Sequence, residues 1–290
     1  MIGSSAALIV ATSSCALIPI DGPAPLRYRD AIFGSVNTTS DIVYGSAVNQ
    51  LGTTITLKLD VYAPVGDTLT SRPLIIWIHG GSFNSLDKSS PELVDESTQF
   101  SMKGYVNASI DYRLSTHGCT SITPECLQAI IDAREDAQAA VRFFRAHAAQ
   151  YGVDPTRIAV GGTSAGAITA LNVAYMSDQP GASGNPGYSS AVRSAVSLSG
   201  SAIPFDAPDP SDNVAALDFH GTADPLVAYG WAQATIDNAN AAGLEAYLVT
   251  WVGDGHVPYL QHRTEILDDT TNFMYHTLSL DTASTTAPAH

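Results

Sequence analysis

Charge is scarce in this chain, and positive charge is scarcest. Of 290 residues, 13 are Lys or Arg against 28 Asp or Glu, and charged residues make up 14%. The formal net charge of −15 repels a phosphate backbone, which argues against nucleic acid as a partner. The acidity itself bears on solubility and says nothing of chemistry. No apolar run reaches the ~18 residues of a membrane span. Cysteine is nearly absent, with three in all, and no C-x-x-C redox motif occurs. Internal repeats and long linkers are lacking too. What is abundant is apolar material, 45% of residues, enough for a large core and too much for disorder. The length suits one α/β domain.

Residues 1–26 carry three prolines and little pattern, so they are expected to lie outside the core. Ala6–Ala11 (AALIVA) followed by TSSCA reads as the end of a secretory signal, although no Lys or Arg precedes it. Cys15 would then be a lipid-attachment cysteine and the one route to a membrane. Cys119 and Cys126 stand in a polar loop, HGCTSITPEC, at a spacing that suits a small disulfide contributing about 2–3 kcal/mol at most. Metal binding is the alternative, but no further Cys/His pair lies nearby at ligand spacing. An exported chain, secreted or periplasmic, is therefore expected. The small polar tail, residues 281–290, is expected to fray. Residues 27–280 remain as a single catalytic domain.

Within that domain strand and helix patterns alternate. Ile55–Tyr62 alternates with period two, as a half-buried strand does. Leu74–Ile78 is a continuous apolar run, suited to a strand buried on both faces of a parallel sheet. Further strands are expected at Tyr105–Tyr112, Arg157–Gly161, Ala195–Leu198, Ala216–His220 and Ala246–Trp251. Helices are expected over Leu127–Gln150, with Gly152 as a left-handed cap, and over Ala165–Met176, Val227–Ala241 and Pro258 to about Leu278. This alternation predicts an α/β fold: a mostly parallel central sheet with helices on both faces. The first two of these strands have no helix between them and are expected to pair as an antiparallel edge.

Four segments carry chemistry. Residues 162–166 read Gly-Thr-Ser-Ala-Gly between a buried strand and a helix, the context a G-x-S-x-G nucleophile elbow requires. Side chains at Gly162 and Gly166 would collide with neighbouring backbone in so sharp a turn, and Ser164 is pushed out above the sheet edge. The helix that follows turns its positive end toward developing negative charge. His79-Gly80-Gly81-Ser82-Phe83 ends another buried strand. Amides of Gly80 and Gly81, with that of Ala165, would form an oxyanion hole, each donor supplying about 3 kcal/mol in the transition state. His79 is expected to order this loop and not to act as a base. Downstream, Asp224 in HGTADPLV would orient an imidazole, and His256 in DGHVP would supply it. The order Ser164, Asp224, His256 is nucleophile, acid, base. Asp254 is the rival acid, two residues from His256 and too close for the usual geometry. His117, His147, His220, His262, His276 and His290 compete poorly as bases.

With these motifs in order, the chain from Leu57 (LKLDVYAP) to the final helix resembles the carboxylesterase and lipase branch of the α/β-hydrolase superfamily that carries an HGG-type loop. Hormone-sensitive-lipase-like and feruloyl-esterase-like groups are the nearest in pattern. Asp111-Tyr112-Arg113-Leu114 also matches a segment common there, in which the arginine is structural. Three features depart from the pattern: HGGSF lacks a third glycine, GTSAG lacks an acidic second residue, and DYRL continues as STHGC. The resemblance implies a serine ester hydrolase working through an acyl-enzyme, with no metal or organic cofactor. The short segment GSAIPFDAPDPSDN, residues 200–213, leaves little room for a cap. An open cleft predicts short-chain or bulky aromatic esters, small or polymer-borne, with polyester- and feruloyl-type activity as the alternative. A peptidase or dienelactone-type hydrolase is a more distant reading, and a non-catalytic binding module is the remotest.

Overall fold

In the computed structural model of the chain, residues 17–177, 179–203 and 208–282 are described. Cys15 and His290 lie outside them. Eight strands form one sheet in the order β1-β2-β4-β3-β5-β6-β7-β8. They are β1 (Val36–Val48), β2 (Thr54–Pro64), β3 (Arg72–Ile78), β4 (Val106–Ile110), β5 (Val153–Thr163), β6 (Ser194–Leu198), β7 (Ala215–Gly221) and β8 (Ala246–Trp251). From β4 through β3 to β8 every pairing is parallel. The sheet is thus the expected one, with an antiparallel beginning.

The pairing at that beginning differs from expectation in its partners. The strand over 55–62, within β2, pairs antiparallel with β1 on one side and β4 on the other, while β3 is inserted between β4 and β5. The cause is a helix the sequence pattern conceals. Helix α1 (Pro91–Met102, PELVDESTQFSM) links β3 to β4 and buries Glu96, Ser97 and Ser101 together with Leu93 and Phe100. Its buried face is half polar, so it shows little apolar periodicity.

The helix expected over 127–150 is two. Helix α2 (Pro124–Ala146) begins where Thr123 accepts a hydrogen bond from the Cys126 amide, and α3 (Ala148–Tyr151) follows a break at His147. Gly152 closes α3 in the left-handed conformation expected of it, at φ 61°. Helices α4 (Ala165–Tyr175), α5 (Tyr229–Ala241) and α6 (Tyr259–Thr277) complete the set. Among the described residues, no helix is long and apolar enough to cross a membrane.

Strand alternation divides the core in two. Leu74, Ile76, Ile78, Ile158 and Val160 face α2 and α4. Ile75, Trp77, Leu217 and Phe219 face α1 and α6. All seven residues of β3 are buried, which is why its run is apolar without alternation. Because β3, β5, β6, β7 and β8 run the same way and in register (Ile78 beside Gly162, Thr163 beside Leu198, Leu198 beside Phe219, Gly221 beside Trp251), the loops that follow them emerge along one edge.

Candidate active site

At that edge β5 turns into α4 at Ser164, whose backbone lies at φ 55°, ψ −115°. Few non-glycine residues adopt a positive φ, and a serine held there is strained by its surroundings. Those surroundings are backbone. A Cβ on Gly166 would lie 1.9 Å from the Ile78 carbonyl oxygen, and one on Gly162 would lie 2.5 Å from Gly166. The two glycines therefore let α4 seat directly against β3 and β5. The Ser164 amide donates to the Leu198 carbonyl at 2.9 Å, anchoring the turn to β6.

Ser164 Oγ stands 2.7 Å from His256 Nε2, and His256 Nδ1 stands 2.7 Å from Asp224 Oδ2. The residues come from the loops after β5, β8 and β7. The Asp224 side chain is fully buried, while that of His256 is 15% exposed. Burial by itself would raise the Asp224 carboxyl. Hydrogen bonds from His220, His256 and the Leu226 and Val227 amides outweigh it and hold the group below the usual carboxylate range. An acid so held stays ionised and can fix the imidazole in one tautomer, with Nδ1 donating to Asp224 and Nε2 free to accept from Ser164. The loop that carries His256 is strained as well. Val257, a β-branched residue, lies at φ 50°. Its amide donates to Ser199 Oγ at 3.0 Å, and the Ser199 amide donates to Phe219, so the end of β6 braces the His256 loop.

The loop after β3 runs against the same point. A Cβ on Gly80 would lie 3.3 Å from Ser164 Cβ. Gly81, Ser82 and Phe83 all have positive φ, at 96°, 51° and 63°. Ser82, which stands where a third glycine is common, thus keeps the conformation that glycine favours. The carbonyls of His79 and Gly80 accept from Tyr112 Oη at 3.2 and 3.1 Å, and His79 Nδ1 lies 2.7 Å from the Gly80 oxygen. In a trans peptide the N–H points opposite to the C=O. Turning both carbonyls toward Tyr112 therefore turns the Gly80 and Gly81 amides away from it. The Ala165 amide lies at the first residue of α4, where helical N–H groups have no partner within the helix. Tyr112 is the contributor that the pattern missed. Its one signal was the DYRL segment.

The remaining candidates fall elsewhere. His79 is buried and stacked on Tyr112 at 4.2 Å, and burial pushes its pKa down to about 4. Asp254 pairs with His262, which stacks on Trp251. His147 bonds the Phe143 carbonyl, His117 neighbours Thr116, and His276 lies 3.8 Å from Glu245. Arg113 is structural: Nε makes hydrogen bonds to the buried Asp136 carboxylate, while the rest of the guanidinium reaches Val48, Asp132 and Ser183. Cys119 and Cys126 form a disulfide with an S–S distance of 2.04 Å. Its loop borders the glycine loop through the Ser115 amide, which donates to Phe83 at 2.7 Å. Among the described residues no cluster of three or more His, Cys, Asp or Glu side chains is placed to hold a metal ion. A cavity of about 700 Å³ begins at Val257, beside His256, and is lined further by Pro91, Asp95, Tyr259 and Leu260.

Residues 59–201 match the BD-FAE family model. Among solved structures the chain is similar to Thermogutta terrifontis esterase 2 phosphoramylated by tabun. Identity is 22%, the match covers 82% of this chain and 94% of that one, and the TM-score is 0.66. The propionate-bound form of that esterase, Est2, matches at 22% identity over 86% of this chain and 96% of that one, with a TM-score of 0.64. A truncated carbohydrate esterase from gut microbiota matches at 20% identity over 86% and 98%, with a TM-score of 0.61. The sheet order, the strained serine turn and the HGG loop agree with these matches: residues 59–201 are similar to the BD-FAE family, and the chain has the fold of these esterases.

Proposed function

We propose that the chain hydrolyses carboxylic esters with Ser164 as nucleophile, His256 as general base and acid, and Asp224 as the group that orients His256. The observation that carries this reading is the unbroken line Asp224–His256–Ser164, with both contacts at 2.7 Å. His256 Nε2 takes the Ser164 proton as Oγ attacks the ester carbonyl. The oxyanion is met by the amides of Gly80, Gly81 and Ala165. His256 then gives its proton to the departing alcohol, leaving an acyl-serine. Water, deprotonated by the same nitrogen, attacks the acyl-serine, and the acid leaves with Ser164 restored.

Short acyl chains or bulky aromatic acids fit the edge best. Between β6 and β7 the described residues hold one short turn, Pro210–Asp212, and no helical cap. Leu86, Leu114, Ile122, Leu226 and Val252 are exposed on loops at the same edge, and Leu260 is exposed in the first turn of α6. Isolated apolar side chains need no explanation, but six of them at one edge suit an apolar ester. Est2 has been captured with propionate and with butyrate, which supports a small acyl site here. The Cys119–Cys126 disulfide, a bond that reducing compartments disfavour, supports export.

The test combines a fluorophosphonate probe with a substrate panel. The probe is expected to label Ser164. Hydrolysis of p-nitrophenyl acetate and butyrate is expected to exceed that of palmitate by at least about tenfold in kcat/KM, with peptides untouched. Turnover of peptides alone would overturn the reading, and a preference for palmitate with interfacial activation would overturn the open cleft.

Tyr112 offers a second check. Tyr112→Phe keeps the ring against His79 but removes the hydroxyl that holds two carbonyls of the glycine loop. A donor that loses its aim weakens binding of the oxyanion more than of the substrate. The expected result is a fall of about tenfold in kcat with KM little changed.

A further inference from the structure

Behind the acid lies a second imidazole that the reaction above does not use. Asp218 and His220 are two apart on β7, so their side chains leave the same face, and both are fully buried. Phe219 between them leaves the opposite face and stacks on Trp251. His220 Nε2 lies 2.9 Å from the Val227 carbonyl oxygen and 3.3 Å from Asp224 Oδ2. Nδ1 lies 3.6 Å from Asp218 Oδ2.

These contacts fix the protons. A nitrogen that meets a carbonyl oxygen and a carboxylate oxygen must carry hydrogen, so Nε2 is a donor. In the neutral ring Nδ1 would then be an acceptor aimed at the Asp218 carboxylate. Two acceptors facing each other in the interior would repel, so one of the pair carries a proton. Burial raises the Asp218 carboxyl, but a second carboxylate, Asp224, on the other side of the ring favours the proton on Nδ1. The Asp224 carboxylate therefore meets four donors. Oδ1 takes the Leu226 and Val227 amides at 2.8 and 3.0 Å, and Oδ2 faces one imidazole on each side.

We propose that His220, clamped between Asp218 and Asp224, is a positioning residue that fixes the acid and tempers its pull on His256. This rests on the proposed roles of Asp224 and His256. A buried carboxylate with one imidazole partner stabilises the protonated form of that partner, which cannot act as a base. A cation on the far side of the same oxygen offsets this, and the base stays available to lower pH. Burial lowers the His220 pKa, but the two aspartates outweigh it and lift it to about 10. The groups around the clamp are otherwise uncharged: Tyr229 of α5 stands edge-on to the ring at 6.0 Å, and Ser197 of β6 and Tyr175 of α4 neighbour Asp218.

Two measurements test the clamp. In the pH profile of kcat/KM, the acid limb of His220→Gln is expected to move up by about one pH unit relative to the unsubstituted protein. Asp218→Asn is expected to move it the same way, and the double variant no further than the larger single shift. The second measurement is stability against pH, read by thermal unfolding without any substrate. A group whose folded pKa lies above its unfolded value stabilises the fold below the unfolded pKa and loses that effect as pH rises through the folded one. Between about pH 6.5 and pH 10 the unsubstituted protein should therefore lose stability, and His220→Gln should lose less. If His220→Gln does not fold, Asp218→Asn carries both readouts. Variants that fold, lose activity equally at every pH and keep the original stability slope would overturn the inference. An unsubstituted protein without ester hydrolysis would overturn the proposed function instead, and the stability slopes would still decide the charge on His220.

Discussion

Ser164→Ala is expected to lower kcat/KM toward p-nitrophenyl butyrate by on the order of 10⁴-fold or more while leaving the unfolding temperature within about two degrees. The two halves of this expectation have separate causes. Activity is expected to fall because, in the proposed mechanism, Oγ forms the bond to the acyl group. His79, at the start of the glycine loop, is buried, stacked on Tyr112 and held neutral. Stability persists because alanine keeps the Cβ, so the turn at φ 55° bears the same strain and the Gly162 and Gly166 contacts are untouched. The lost group is one hydroxyl at a partly open edge, with His256 as its partner. His256→Ala should cost about as much, and the double variant little more, since nucleophile and base act as a unit. Hydrolysis retained by Ser164→Ala at more than about one hundredth of the original rate would remove the serine from the reaction.

Much of this site was legible because the chemistry is written where strands end. A parallel sheet sends every strand terminus to one edge, so motifs after LIIWI, RIAVG, AALDFH and AYLVTW had to meet. Their order then assigned Ser164, Asp224 and His256. The geometry brings these three together and directs Asp254 to His262.

What escaped the sequence was decided by distant partners. Glu96 reads as a surface residue, yet it is 3% exposed, and burial beside Glu92 and Asp95 raises its carboxyl well above the usual range. With Ser97 and Ser101 it blurs the periodicity of α1, and without α1 the place of β3 in the sheet could not be deduced. Strand β1 was hidden in a polar stretch, VNTTSDIVYGSAV, whose register slips twice against β2 and whose Asp41 sits at φ 61°. The positioning contacts of Tyr112 and His220 were invisible for a related reason. One reaches backbone carbonyls 32 and 33 residues away, and the other faces an aspartate in its own strand that looks like any core-adjacent polar residue.

Gly166→Ala is expected to be the most damaging single-methyl change in the chain, destabilising it by at least about 3 kcal/mol and lowering the unfolding temperature by roughly 10 °C. The added Cβ would sit 1.9 Å from the Ile78 oxygen, 2.5 Å from the Ile78 carbon and 2.7 Å from the His79 oxygen. All three are backbone atoms of β3 and its exit, so no side-chain rotation relieves the clash. Either α4 must lift off the sheet or the end of β3 must bend. The first opens the packing of Ile168 and Leu171 against Ile76 and Ile78, and the second moves the Gly80 and Gly81 amides. The variant should therefore lose activity even where enough of it remains folded to assay. Gly230→Ala provides the control. That glycine lies in the first turn of α5 with nothing within 4 Å of an added Cβ, and the exchange should be neutral or stabilising by up to about 1 kcal/mol. Equal stability of the two variants, read by thermal unfolding, would mean that the serine turn tolerates a side chain at Gly166. The strain at Ser164 could then not be attributed to close seating of α4, because that seating is what excludes the methyl group.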